Sequence, residues 1–106
     1  MRIVRSERGI PVRLTDERWR HIVDRHPEMA NLKEEALHTI AEPDLIQTGD
    51  AGELLAITLQ ADTPFGEKYV VVSYRELTGE NDGFVITAYL TRRPSTRRKV
   101  LWRRAR

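Results

Sequence analysis

Three segments in the second half of the chain set the tightest limit on its fold. Residues 53–60 (Glu-Leu-Leu-Ala-Ile-Thr-Leu-Gln), 68–75 (Lys-Tyr-Val-Val-Val-Ser-Tyr-Arg) and 84–91 (Phe-Val-Ile-Thr-Ala-Tyr-Leu-Thr) are rich in β-branched and aromatic residues and contain neither proline nor glycine. Their connectors are centred on Asp62-Thr63-Pro64-Phe65-Gly66 and on Thr78-Gly79-Glu80-Asn81-Asp82-Gly83. Both are short and made of turn residues, so successive strands are expected to pair as antiparallel hairpins.

The first half is patterned differently. Residues 10–14 alternate and suit a short edge strand, where Pro11 is tolerated. Thr15 is a good helix N-cap, and Asp16 and Glu17 suit the positive end of the helix dipole. Trp19, Ile22, Val23 and His26 follow at i, i+3, i+4 and i+7, which puts them on one face. Pro27 disfavours helical geometry at His26, so this helix ends or bends there. A second helix is expected from Asn31, whose spacing to Glu34 is that of a capping box. Its apolar stripe is Leu32, Ala36, Leu37 and Ile40; Pro43 ends it. Residues 44–48 and 99–102 are candidates for two further short strands, and 49–52 read as a turn. Helices followed by a run of strands indicate an α+β fold with helices on one sheet face. The 106 residues, without repeats or an internal linker, are expected to form one domain.

Composition removes several function classes. There is no cysteine, hence no disulfide framework and no thiolate metal site. No stretch approaches the roughly 18 apolar residues of a membrane span, and the first residues do not read as a secretory signal. A soluble, cytoplasmic domain without a membrane role is the expectation. Net charge is +2 but lopsided: the last acidic residue is Asp82, and segment 84–106 carries +8. Segment 1–83 holds ten basic and sixteen acidic residues, a net of −6. The basic segment, about 92–106, is suited either to phosphate contact, since arginine offers forked donors, or to pairing with the acidic body.

Few residues are equipped for chemistry. In 84–91, strict alternation puts Phe84, Ile86, Ala88 and Leu90 on one face, expected to meet the helices, and Val85, Thr87, Tyr89 and Thr91 on the other. A face with three hydroxyls is either wet or a binding surface. His26 lies in the apolar register at the helix end, so it is either a half-buried hydrogen-bonded residue or a proton carrier, since histidine titrates nearest neutrality. His21 lies off the stripe, and His38 reads as a surface residue. His21 and His26 are five apart, which does not stack them as a metal pair, and glycine-rich phosphate loops and a nucleophile-elbow serine are lacking. No metal and no cofactor are expected. Because Thr87 points away from the face bearing Ile86 and Ala88, His26 can meet it only around a sheet edge or a twisted end.

Four phrases, in order, carry a resemblance over residues 14–102: HIVDRHPEM, EPDLI, KYVVVSY and GFVITAYLT. Together they resemble the small phage- and bacteria-associated nuclease-fold proteins grouped with barnase, EndoU, colicin ribonucleases and RelE. That resemblance implies two N-terminal helices on an antiparallel sheet of about four strands, with the active surface on the sheet. It also implies a metal-independent, toxin-like endoribonuclease in which the RNA 2′-hydroxyl attacks phosphorus to leave a 2′,3′-cyclic phosphate. Carried onto this chain, His26 and His21 become acid–base candidates, and Thr87, Tyr89 and Thr91 candidates for orienting phosphate or hydroxyl. Lys68, Arg92, Arg93, Arg97, Arg98 and Lys99 become candidate nucleic-acid contacts. RNA is then the expected partner, with a cognate protein inhibitor as a second. Two other readings stay open: a non-catalytic RNA- or ribosome-binding module, and a protein-interaction module of antitoxin or immunity type.

Overall fold

A computed structural model describes residues 1–105; Arg106, the last of the basic residues counted above, lies outside the described residues. The chain begins with a strand, β1 (Arg2–Arg5), that pairs antiparallel with β2 (Pro11–Leu14). Thr15 then turns the chain into a helix, α1 (Asp16–Arg25), its hydroxyl accepting from the Arg18 N–H at 3.0 Å. The helix stops where Pro27 dictates: His26 leaves helical geometry, and a single 3-10 turn (Pro27–Met29) follows. The second helix, α2 (Lys33–Ala41), precedes β3 (Leu45–Thr48), and then come β4 (Leu54–Thr63), β5 (Gly66–Leu77), β6 (Asp82–Thr91) and β7 (Val100–Arg103).

The described residues thus form one mixed sheet of seven strands, ordered β1-β2-β6-β5-β4-β3-β7, more than the antiparallel sheet of about four strands that the resemblance implies. The central β4-β5-β6 meander is antiparallel throughout, as the short connectors require. The added strands extend it: β1 and β2 on one flank, β3 and β7 on the other. Only the β2–β6 pair is parallel, because β2 arrives before both helices rather than through a hairpin.

Both helices pack on one sheet face. Val12, Leu14, Ile46, Ala56, Val70, Val72, Tyr74 and Ala88 meet Ile22, Met29, Leu37 and Ile40 in one continuous core. Burying each large aliphatic side chain there contributes about 1.5–3 kcal/mol relative to leaving it in water. One polar link joins the layers inside that core: the Thr39 and Thr58 hydroxyls share a hydrogen bond of 2.6 Å, and the Thr39 hydroxyl lies 2.7 Å from the Glu35 carbonyl.

Three details depart from the sequence expectations. Helix α2 starts at Lys33 with Leu32 in the cap position, and no side chain caps it. Glu34, expected to close a capping box with Asn31, is taken by Arg2 of β1 in a forked pair at 2.6 and 3.0 Å. In β6, the register slips between Ser73 and Tyr74 of the partner strand: Ser73 faces Thr87, but Tyr74 faces Val85. Ile86 is the extra residue of a β-bulge. Val85, not Phe84 or Ile86, therefore joins the helix-side core, and Phe84 stays half-exposed.

No helix among the described residues is long and apolar enough to cross a membrane.

Candidate active site

The open face of the sheet is ordered in rows by strand register. One row runs Gln47–Leu55–Ser73–Thr87, the next Leu45–Ile57–Val71–Tyr89, and a third Leu59–Tyr69–Thr91. Leu45, Leu55, Ile57 and Val71 form a small second core, against which Tyr69 and Tyr89 pack. Thr87, Tyr89 and Thr91 thus share the face that alternation assigns them, since the bulge lies before Thr87.

Strand β6 is unequally paired along its length. Strand β2 meets it only at Arg13↔Phe84 before the chain leaves through Thr15 into α1. Beyond that point no described strand pairs with the outer edge of residues 87–91. Helix α1 and the 3-10 turn lie against β6 instead. This open edge is what lets a helix-end residue reach the far face. His26 comes around it to stand 5.7 Å from Tyr89, ring centroid to centroid, with the planes tilted by 36°.

The same turn supplies a carboxylate. Glu28 Oε2 lies 3.8 Å from His26 Nδ1, an ion pair whenever the imidazole is protonated. Both side chains are about one-third exposed, at 35% and 28%, so the imidazole keeps contact with solvent beside its carboxylate neighbour. Glu28 was not among the residues singled out from sequence. It follows Pro27 in a three-residue turn, and only the fold of that turn brings it to the imidazole.

Tyr89 also walls a hollow of 300 Å³ on the open face, together with Val71, Thr91 and Arg93. The 92–99 segment crosses over this face and is tied down at three places, one of them the Lys99 carbonyl, which accepts from the Thr48 N–H at 3.0 Å. Gln47 donates to the Ser95 carbonyl at 2.8 Å, and Arg98 grips the Asp50 carboxylate at 2.9 and 3.4 Å. Past the crossing, β7 pairs with β3, and Arg104 faces Glu42 and Asp44, each at 3.5 Å. The basic segment is therefore divided. Arg98 and Arg104 are engaged by acidic residues of the body. Arg92, Arg93, Arg97, Lys99 and Arg103 have no carboxylate partner among the described residues.

The residues expected to act together are thus brought together in part. His26 and Tyr89 meet, with Thr87 and Thr91 on Tyr89's face, and Arg93 shares Tyr89's hollow. His21 does not join them: it is exposed and borders a shallow depression with Thr15, Glu17, Arg18, Arg20 and Asp24. Lys68 alternates with Val70 and Val72 and so belongs to the helix side of the sheet, opposite Tyr89. No group of three or more His, Cys, Asp or Glu among the described residues is arranged to hold a metal ion.

Compared with protein-family models, with curated proteins and with solved structures, the chain matches none.

Proposed function

We propose that the chain is an endoribonuclease that cleaves RNA by attack of the 2′-hydroxyl on the adjacent phosphorus, without a metal ion. The observation that carries this reading is the His26–Tyr89 approach at the rim of the open face, with Glu28 beside the imidazole. Arg93, which lines the hollow beside Tyr89 and has no carboxylate partner among the described residues, supports it, because it offers charge where a phosphodiester would lie.

In this mechanism His26 takes the proton from the 2′-hydroxyl, and Glu28 steadies the imidazolium that results. Tyr89 gives its hydroxyl proton to the departing 5′-oxygen. Arg93 offsets the charge that builds on the phosphorane oxygens. Thr87 and Thr91, two residues along the strand on either side of Tyr89 and on the same face, orient the phosphate. The products are a 2′,3′-cyclic phosphate and a free 5′-hydroxyl, and the site resets when the His26 imidazolium gives up its proton to water and the Tyr89 phenolate takes one back from water. A positioned acid or base of this kind contributes about 10²–10⁴-fold in rate.

The test is incubation of the purified chain with mixed RNA in EDTA, beside His26→Ala, Tyr89→Phe and Thr87→Ala, with identification of the end groups. The reading expects 2′,3′-cyclic ends from the parent chain and loss of about 10²-fold or more in His26→Ala at unchanged folding. Absence of cleavage across several RNAs, from a well-folded chain, would remove the catalytic reading and leave an RNA-binding module in its place.

A further inference from the structure

The open face holds a second, larger hollow that the His26 chemistry does not use. This groove of 810 Å³ is floored by Leu45, Ile57, Leu59, Tyr69 and Val100 and rimmed by Arg103, with Asp44 at the same rim neutralised by Arg104 at 3.5 Å. Gln47, Ile57, Pro94, Ser95 and Arg98 wall both it and the smaller hollow beside Tyr89, so the 92–99 segment lies between the two. Two of its apolar residues remain in contact with solvent: Leu59 is 44% exposed and Val100 39%. Apolar side chains gathered in a concave surface with a cationic rim are the makings of a ligand site rather than a solvated face. The register row Leu59–Tyr69–Thr91 leads directly from this groove to the candidate active site.

We propose that the groove is a nucleobase subsite, which holds the base of a nucleotide adjacent to the scissile phosphate; this rests on the ribonuclease reading above. A base presents a flat apolar face that stacks on an aromatic ring, and Tyr69 supplies one with Leu59 and Val100 alongside. Its phosphate carries the charge that Arg103 is free to meet. A paired base in a duplex is stacked on both sides and cannot enter beside the 92–99 segment. The substrate class is therefore unpaired RNA, read partly through a base and not through backbone charge alone. An acidic peptide would satisfy the cations. The continuity of the groove with the His26 side of the sheet favours a single extended substrate instead.

The experiment is fluorescence anisotropy with an uncleavable, fully 2′-O-methylated oligonucleotide. It is compared with the same strand annealed to its complement, with an abasic strand of equal phosphate number, and with a polyglutamate peptide of equal charge. The expected result is that the unpaired strand binds roughly ten-fold or more tighter than each of the other three. Leu59→Glu, at an exposed position, and Tyr69→Leu, which keeps an apolar side chain, should each remove most of that advantage. Equal binding of the abasic strand, or of the duplex, would overturn the subsite even if the chain cleaves RNA. Polyglutamate binding as tightly as the unpaired strand would assign the groove to an acidic peptide and overturn it likewise. Base-dependent binding that Leu59→Glu abolishes supports the subsite whether or not cleavage is seen, so its fate and that of the catalytic reading are decided separately.

Discussion

On the helix-covered face of the sheet, Val12, Ile40, Val70, Val72 and Tyr74 are wholly withdrawn from solvent. On the open face, Thr87, Tyr89 and Thr91 of the same sheet are each partly exposed, and the 92–99 segment crosses over it. The covered face is closed by shape and apolar burial. The open face keeps hydroxyls, an imidazole at its edge and unpaired cations beside it. A side chain left half-wet on a rigid sheet is free to meet a ligand, and its position is still fixed by the strands that carry it. Substitutions on the first face should therefore alter folding, and substitutions at the half-wet positions Thr87, Tyr89 and Thr91 of the second, outside its small buried core of Leu45, Leu55, Ile57 and Val71, should alter binding and catalysis at nearly constant stability.

The largest effect that would sharpen this contrast is a covered-face cavity. Ile40→Ala should destabilise the fold by about 2–5 kcal/mol in urea titration, with the activity per folded molecule retained. Equal loss of stability from Thr91→Ala would break the division between the faces.

A smaller loss is expected where β6 is held on both sides. A Cβ at Gly83 would stand 2.6 Å from the Arg75 carbonyl oxygen and 3.3 Å from that of Pro11, so both neighbouring strands must shift to accept it. Gly83→Ala should cost about 1–3 kcal/mol in the same titration, an overpacking penalty that a substitution at the half-exposed Thr87 or Thr91 does not incur.

Tyr74 is an exception on the covered face. Its hydroxyl is buried without a hydrogen-bond partner among the described residues, and burial, with Glu76 adding to it, pushes its pKa well above the ordinary tyrosine value. Tyr74→Phe removes that unsatisfied group and should raise stability by about 1 kcal/mol, read as a higher denaturation midpoint. A fall instead would mean that the hydroxyl is satisfied in solution.

The smallest effect concerns acid. Arg13 grips Asp82 with two hydrogen bonds, at 2.9 and 2.8 Å, and these hold the Asp82 carboxyl below the usual carboxylate range. A carboxyl depressed in the folded state adds stability above its unfolded pKa, and that stability is lost as pH falls through the folded value. Asp82→Asn should therefore lower the melting temperature slightly at neutral pH, and the gap should close in the acid range below about pH 4. A gap that persists at low pH would show that the pair works through shape and not charge.

Much of the central meander was legible because β-rich segments without proline or glycine alternate with turn residues. The first helix was legible at both ends, through Thr15 and Pro27. What escaped depended on partners distant in sequence. Strand β1 is four residues long, pairs on one side only, and leaves Ile3 57% exposed, so its pattern is too weak to stand out from a polar terminus. The missing capping box of α2 has the same origin, because Arg2 of that unrecognised strand holds Glu34. The bulge at Ile86 interrupts an alternation that is unbroken on paper, with no glycine or proline to mark it. At the site, His26 and the hydroxyl face of β6 were visible separately. Their meeting depends on β2 leaving the edge of β6 early, a fact of topology that local pattern does not carry. Arg98 stood among the candidate nucleic-acid contacts because charge alone does not reveal which arginines the body already holds.

The most direct test of the division between the faces is a two-dimensional amide NMR titration with the uncleavable single strand. Shift changes are expected at His26, Glu28, residues 87–93 and around Leu59 and Tyr69, with α2 unmoved. Changes centred on α2 and His38, with the His26 turn and β6 silent, would contradict it.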